Sequence, residues 1–448
     1  MILLQQRKPV AILGAGLAGV TAAYALHRQG VPVRLYEASA RMAGLAASFK
    51  DRDGFSNDFG AHFVTNRLAA AVGVADRCRD VRHYGEAVLL DGKVYGYPFG
   101  LLADPRFVSS GIAARLRGRR GPPESAAEWF RAAYGCALAE KVAIPLVEAW
   151  SGATAEALSP GVASEKLQHG VLHTLWLKLA SRVTGRAVAS GYSHEKPESP
   201  SVWHVYPDGG VSTLVEALAA GLEQSSILLE TPVEAIVVED GRVVAVRANG
   251  REDEVSAVVS TAPAHVLSRL VTGTEALKHL ARFRFRPMVF VNLRLRGRGL
   301  LPDTVLWVPE RKFPFFRVTE TTISMPWLAP AGKCLLTVDF GCEQKDEIWS
   351  MPEDRLVELC LEHLAAIVPD VRQRLLGSHV LRTPIAYPVY LNAYEADRLR
   401  LRQTTGVAGL YSVGRNGEFA HILMEDVYWR TLARMREMVD TSRLSQSA

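Results

Sequence analysis

Cysteine is scarce. The 448 residues hold five, Cys78, Cys136, Cys334, Cys342 and Cys360, with no C-x-x-C pair and no histidine at ligand spacing. This argues against a disulfide framework and a metal site, and it fits a reducing cytoplasm. Long apolar runs are missing too. Nothing approaches the ~18 consecutive apolar residues of a spanning helix, so no transmembrane segment is expected. The opening Met1-Ile-Leu-Leu-Gln-Gln-Arg-Lys8 lacks the apolar stretch of a secretion signal. Charge of one sign is thin, at a formal net +5. The basic runs Arg115-Leu-Arg117-Gly-Arg119-Arg120 and Arg282-Phe-Arg284-Phe-Arg286 read as solvated surface or strand edge. An anionic substrate or a peripheral membrane contact is their alternative, and nucleic acid is excluded as a partner. There is no internal repeat, low-complexity tail or nucleophilic triad.

Apolar residues, by contrast, make up 48% of the chain, enough for a core in two or three lobes. The most informative pattern lies near the start, where apolar Val10-Ala-Ile-Leu13 runs into Gly14-Ala-Gly16-Leu17-Ala18-Gly19. Gly14 permits a tight strand-to-helix turn, Gly16 lets backbone approach a pyrophosphate, and Gly19 lets helix and strand pack closely. The helix start then presents free N–H groups and a positive dipole end to the anion. Alternating Val31-Pro-Val-Arg-Leu-Tyr-Glu37 follows, placing Glu37 21 positions past Gly16 (37 − 16), where an acid accepts from ribose hydroxyls.

Past Glu37 come Ala38-Ser-Ala-Arg41-Met-Ala43-Gly44-Leu45 and then Asp58-Phe-Gly60-Ala61-His62. With Tyr206-Pro-Asp-Gly-Gly210, Thr231-Pro-Val233, Val258-Val-Ser-Thr-Ala-Pro263, Ala386-Tyr387-Pro388-Val-Tyr390 and Gly409-Leu-Tyr-Ser-Val-Gly414-Arg415-Asn-Gly417, these runs resemble the FAD enzymes that include amine oxidases, protoporphyrinogen oxidases, carotenoid desaturases and UDP-galactopyranose mutases. The resemblance implies an FAD site at Gly14, Gly16, Leu17, Ala18 and Gly19, at Glu37, Ala38 and Arg41, at Gly44 and Leu45, at Gly60, Ala61 and His62, at Val233, and at Gly414, Arg415 and Met424. Ala43 stands where the family pattern has a glycine, and its methyl is expected to shift the loop over residues 42 to 44. The C-terminal cysteine that holds flavin covalently in some members is absent, so FAD is expected to be noncovalent.

The implied fold is α/β, a Rossmann-type FAD-binding domain built from discontinuous segments plus a substrate domain with a mixed β-sheet and a helical insertion. Residues 1–85, 201–268 and 385–448 are assigned to the FAD domain, 86–103 and 269–384 to the substrate domain, and 104–200 to the helical insertion. Asp91-Gly92 signals a hairpin within 86–98. Residues 186–201 read as a mobile polar connector bordering the entrance. The stretch Gly170-Val-Leu-His-Thr-Leu-Trp176-Leu-Lys-Leu179 reads as a core-facing helix, with lipid or partner contact as the alternative.

Since FAD carries hydride or electron transfer itself, the protein need only seat a small-molecule substrate and exclude competing reactions. His62, His421, Arg317 and Tyr390 are the candidate catalytic residues: His62 and His421 near the flavin turns, Arg317 and Tyr390, with Tyr387, on strands facing the cavity. For each, a plain core or surface role is the alternative. The lysine that amine oxidases carry on the substrate sheet has no counterpart in Phe285–Leu295. The expected activity is an FAD-dependent oxidase or dehydrogenase removing a hydride from a C–N or C–C bond, with oxygen or another external acceptor. The alternative is a UDP-galactopyranose mutase-type isomerase without net redox, although Phe419 and His421 stand where mutases carry tyrosines.

Overall fold

The computed structural model describes residues 8–118, 121–165 and 171–447, with the side chains of 171, 172 and 442–447 left out. Met1–Arg7, Arg119, Arg120 and Gly170, which figure in the readings above, lie outside the described residues. Val10–Leu13 forms the centre of a five-stranded parallel sheet, flanked by Val33–Tyr36 and Ala257–Ser260, with Ile227–Leu228 and Leu410–Ser412 at the edges. Strands so far apart in sequence are gathered because both faces are covered: Val10, Ile12 and Leu35 pack into one core, Ala11, Leu13 and Val258 into another. The helix Leu17–His27 lies on this sheet and packs against the long C-terminal helix Met424–Ser447 and against Ser212–Ala219.

A seven-stranded sheet forms the second lobe, in the order Leu375–Pro388, Phe285–Arg296, Lys333–Gly341, Arg317–Glu320, Val305–Trp307, Glu86–Leu90, Lys93–Gly96. Alternation along Phe285–Arg296 sends Val289, Val291 and Leu293 toward the helix Glu353–Leu364, while Met288 and Phe290 face the other way. The hairpin turns at Asp91 and Gly92 with φ of 52° and 73°, the two positive values of a type I′ turn. Strand Leu375–Pro388 runs through position 384, so the boundary expected there falls inside a paired strand. Over this sheet lie the helices Pro105–Arg117, Ala126–Tyr134 and Cys136–Ser151, the last with a π-helical turn at Ala139–Ala143.

Val233 opens a separate four-stranded sheet with Arg242–Ala248, Arg251–Glu254 and Val271–Thr272, and Leu228 to Thr231 just before it pair with the backbone of Glu37 and Ser39. Two expectations are corrected. The connector 186–201 is pinned rather than loose, because the buried Asp426 carboxylate accepts from Ser193 Oγ at 2.7 Å and from the His194 and Glu195 amides, and none of its residues borders the cavity under the helices. Helix Val171–Thr184 buries Leu177 but leaves Leu175, Trp176, Leu179 and Val183 exposed, so its apolar residues do not all find a core. No helix among the described residues is long and apolar enough to cross a membrane.

Ala43 keeps the backbone that glycine would adopt, with φ 87°, and its N–H still donates to Ala15 O at 2.9 Å. The methyl therefore strains the loop, at a cost of about 1–2 kcal/mol for a left-handed L-residue. Ala43→Gly should stabilise the protein by roughly 0.5–1 kcal/mol once glycine's greater unfolded-state entropy is subtracted. The urea midpoint measures this, and an unchanged or lower midpoint would contradict it.

Candidate functional site

The first turn bears the marks of a dinucleotide cradle. A Cβ on Gly14, whose φ is +93°, would lie 2.3 Å from Thr261 Oγ1, and one on Gly19 would lie 1.8 Å from Gly14 O. Protein packing thus demands both glycines. Gly16 differs, since the nearest atom to its added Cβ is Ala43 O at 3.9 Å. Nothing in the chain requires that glycine, which fits a ligand taking the space above it. Leu17 and Ala18 begin the helix, and Gly414 approaches so closely that its added Cβ would sit 2.5 Å from Ala18 Cβ. The amino-terminal turn and the carboxy-terminal turn therefore meet.

Glu37 follows the second strand, with Oε2 accepting from Ala15 N at 2.7 Å and Oε1 from Ser39 N at 2.9 Å. It braces the glycine turn, and lone pairs remain for ribose hydroxyls. Ala38, Arg41 and Gly44 are exposed nearby, and Arg41 lies 4.7 Å from the Phe49 ring. Asp58 is buried between two motifs, accepting from Ser48 Oγ at 2.6 Å and from Tyr206 OH at 2.7 Å. His62 Nδ1 stands 3.7 Å from Asp58 Oδ2.

From this end a cavity of about 420 Å³ extends under the helices. Leu45, Ala61, His62, Arg415 and Leu423 border it beside the turns, with Met424 just beyond, and Val88, Leu101, Phe130, Leu138, Val142, Leu146 and Val147 form apolar walls. Its floor is one transverse row of the seven-stranded sheet. Phe290 pairs with Asp339, Asp339 with Arg317, Arg317 with Trp307, and Trp307 with Val88. Arg317 Nε donates to Asp339 Oδ2 at 2.7 Å and the guanidinium lies 5.4 Å from the Trp307 ring. Burial alone would lower the Arg317 pKa, but the Asp339 carboxylate more than offsets it and holds the value well above the ordinary one. Trp307 Nε1 in turn donates to Glu86 Oε2 at 2.7 Å, and Tyr84 OH to Glu86 Oε1 at 2.5 Å.

Arg415 is the contrasting cation. Its Nε and Nη2 are buried without a hydrogen bond among the described residues, its guanidinium lies 4.8 Å from the Tyr387 ring, and burial lowers its pKa. Such a group calls for an acceptor from a ligand. His421 stacks on Tyr387 at 5.3 Å and 9°, and Trp150 closes against both rings. Burial pushes the Tyr134 phenol up to about 12, so this wall presents a neutral hydroxyl.

His62, Arg317, His421, Leu45, Ala61 and Arg415 therefore converge on one cavity. Tyr390 does not. It lies two residues beyond its strand, wholly buried, accepting from His421 N at 2.6 Å and donating to Glu165 Oε2 at 3.0 Å beneath Arg398. Its hydroxyl fixes the His421 backbone. Glu86, Trp307, Trp150 and Asp339 were not singled out from sequence. Glu86 and Val88 sit two apart on one strand and share a face, a period-2 signal that was legible there.

A nucleotide turn, a second turn meeting it and a sheet-floored cavity between them define a flavin-binding fold of the oxidoreductase type. The chain belongs to the family of flavin-containing amine oxidoreductases, which matches residues 17–428. FAD is its cofactor. Among solved structures, a reduced UDP-galactopyranose mutase superposes with TM-score 0.79 at 17% identity, covering 97% of this chain and 94% of that one. A putative protoporphyrinogen oxidase from Exiguobacterium sp. 255-15 gives 0.74 at 18%, covering 96% and 98%. Cyclohexylamine oxidase from Brevibacterium oxydans IH-35A gives 0.69 at 16%, covering 97% and 100%. At these identities the likeness establishes the fold.

Two outcomes are expected. Glu37→Ala should weaken FAD retention by roughly 1.5–3 kcal/mol, the worth of a charged hydrogen bond; flavin content after dialysis reports it, and full retention would contradict the assignment. Arg317→Met leaves the Asp339 carboxylate buried and unpaired, at a cost of about 3–5 kcal/mol that Asp339→Leu in the same chain should largely restore. Burial then raises the lone carboxyl's pKa above its unfolded value, so the single variant's deficit should shrink as pH falls. Urea midpoints across pH test both.

Proposed function

We propose that this chain is a cytoplasmic FAD-dependent oxidase or dehydrogenase that removes a hydride from a C–N or C–C bond of a small, largely apolar metabolite. The observation that carries this reading is the polarity gradient of the cavity. Its walls are largely aliphatic and aromatic, with the Tyr97 and Tyr134 phenols among them, while its charged side chains, His62, Glu86, Arg317 and Arg415, belong to the sheet floor and to the turns that resemble the flavin site. An apolar body has one favourable orientation there, with its reacting carbon toward the polar end. When bound, FAD supplies the hydride acceptor, and an external acceptor such as oxygen takes the electrons on. His62, at the polar end and backed by Asp58, receives the proton left on the substrate nitrogen or neighbouring carbon. Glu86 holds the Trp307 and Tyr84 side chains in place. The residue of strand Phe285–Arg296 that lines the cavity is Phe290 rather than a lysine, so any amine oxidised here is oriented by packing.

A mutase-type reaction fits the lining less well. A diphosphate needs several free cations or hydroxyls, whereas Arg317 is committed to Asp339 and Phe419 is buried in the core. Anaerobic mixing with lipophilic amines, porphyrinogens or polyenes should bleach the oxidised flavin band with at least one of them. His62→Ala should slow that reduction by about 100-fold or more with substrate binding little changed. Conversion of UDP-galactopyranose only after dithionite reduction, with flavin staying reduced, would overturn the oxidoreductase reading.

A further inference from the structure

Large apolar side chains are exposed unevenly over this protein. Of the ten among the described residues, eight fall between Val94 and Val183, Leu376 and Leu399 being the others. Most sit on two helices, Pro105–Arg117 and Val171–Thr184, and on the turn before the first of them. Leu116 is 82% exposed, Val183 79% and Trp176 49%. Spacing by four places Ile112 with Leu116, and Leu175 with Leu179 and Val183, along the open side of each helix.

The charges on the same helices are of one sign. Pro105–Arg117 carries Arg106, Arg115 and Arg117, Val171–Thr184 carries Lys178 and Arg182, and neither holds an acidic residue. Arg106 is taken by Asp104, but Arg115, Arg117 and Arg182 make no ion pair among the described residues. The second helix is tied to the segment that leads into the first. The first follows the turn Phe99–Ala103 directly, and Lys178 of the second donates to Tyr97 O at 2.9 Å and lies 5.4 Å from the Phe99 ring. Tyr97, Pro98 and Leu101 of that segment line the apolar cavity on its inner side, while Leu102 points outward.

We propose that this face docks on an anionic lipid surface, with Trp176, Leu179, Val183 and Leu116 at headgroup depth and the cations at lipid phosphates. Exposed aliphatic and tryptophan side chains interleaved with Lys and Arg, free of acids, are the chemistry of an interfacial helix. A second copy of the chain is a poor occupant, because a two-fold interface through this patch sets Arg115, Arg117 and Arg182 against their own copies without one carboxylate from these helices to answer them. The inference goes beyond the redox reading and does not rest on it.

Flotation of the full-length, flavin-loaded protein with vesicles decides the matter. Phosphatidylcholine vesicles containing roughly one-third phosphatidylglycerol should carry the protein up, pure phosphatidylcholine far less, and added salt should release it. Trp176→Ser with Leu179→Ser should lower partitioning at least about tenfold, with flavin content unchanged. Arg115→Gln and Arg182→Gln should each lower it about fivefold on anionic vesicles only; these two exposed positions keep the test valid if the apolar variant loses flavin. Equal binding to both vesicle types, no binding to either, or a concentration-dependent dimer that the Trp176 and Leu179 changes dissociate would overturn the proposal.

Discussion

Among the described glycines, Gly19 leaves the least room for a side chain, its added Cβ lying 1.8 Å from Gly14 O. Gly19 lies so near the Gly14 carbonyl that no side chain fits, and Gly14 is pressed against Thr261, whose hydroxyl donates to Leu13 O at 2.7 Å. The helix start is thereby seated directly on strand ends supplied by Val10–Leu13 and Ala257–Ser260. A third stretch closes the arrangement where Gly414 abuts Ala18. The nucleotide cradle is consequently a property of the assembled sheet rather than of the local motif. Segments hundreds of residues apart must be docked before Gly16 faces an open groove, and everything at the polar end of the cavity is registered to that groove.

The second constraint is electrostatic. Arg317 and Asp339 face each other across neighbouring strands in the row that floors the cavity. An exposed ion pair contributes about 0–1 kcal/mol, but a buried one makes each partner indispensable to the other. The pair also spends the charge of Arg317 inside the sheet. Arg415, by contrast, has no carboxylate partner among the described residues and stacks on Tyr387.

What could be read from sequence was mostly what is decided locally. The glycine turn, the Asp91-Gly92 hairpin and the acid after the second strand follow from backbone conformations that few residues tolerate, and they stand where the spacing placed them. Readings that depend on distant partners fared worse. Connector 186–201 has a loop's composition, yet Asp426 fastens it from the far helix. Tyr390 lies within an alternating run, but the strand ends at Pro388 and its hydroxyl turns to Glu165. Glu86 and Asp339 gain meaning only through cross-strand register, which a single sequence does not reveal. Helix Val171–Thr184 shows the same limit, since amphipathic spacing marks an apolar face without saying what covers it.

Tyr390 shows how the two constraints are joined. Its hydroxyl accepts from the His421 amide while donating to Glu165, and Arg398, lying 3.9 Å over its ring, bonds Glu165 and Glu395. His421 is held by its backbone while its ring stacks on Tyr387, which sits on the same strand as Thr383 of the cavity. Arg415 then rests on that Tyr387 ring. The carboxy-terminal turn is thus anchored to the substrate sheet through an aromatic stack whose geometry is set by a buried charge cluster beneath it. Because Gly414 of the same turn is packed on the first helix, any displacement of the sheet relative to the nucleotide cradle must break either that stack or the Gly414 contact. Rigid registry of this kind is what a reaction governed by the distance between a substrate carbon and a bound ring requires.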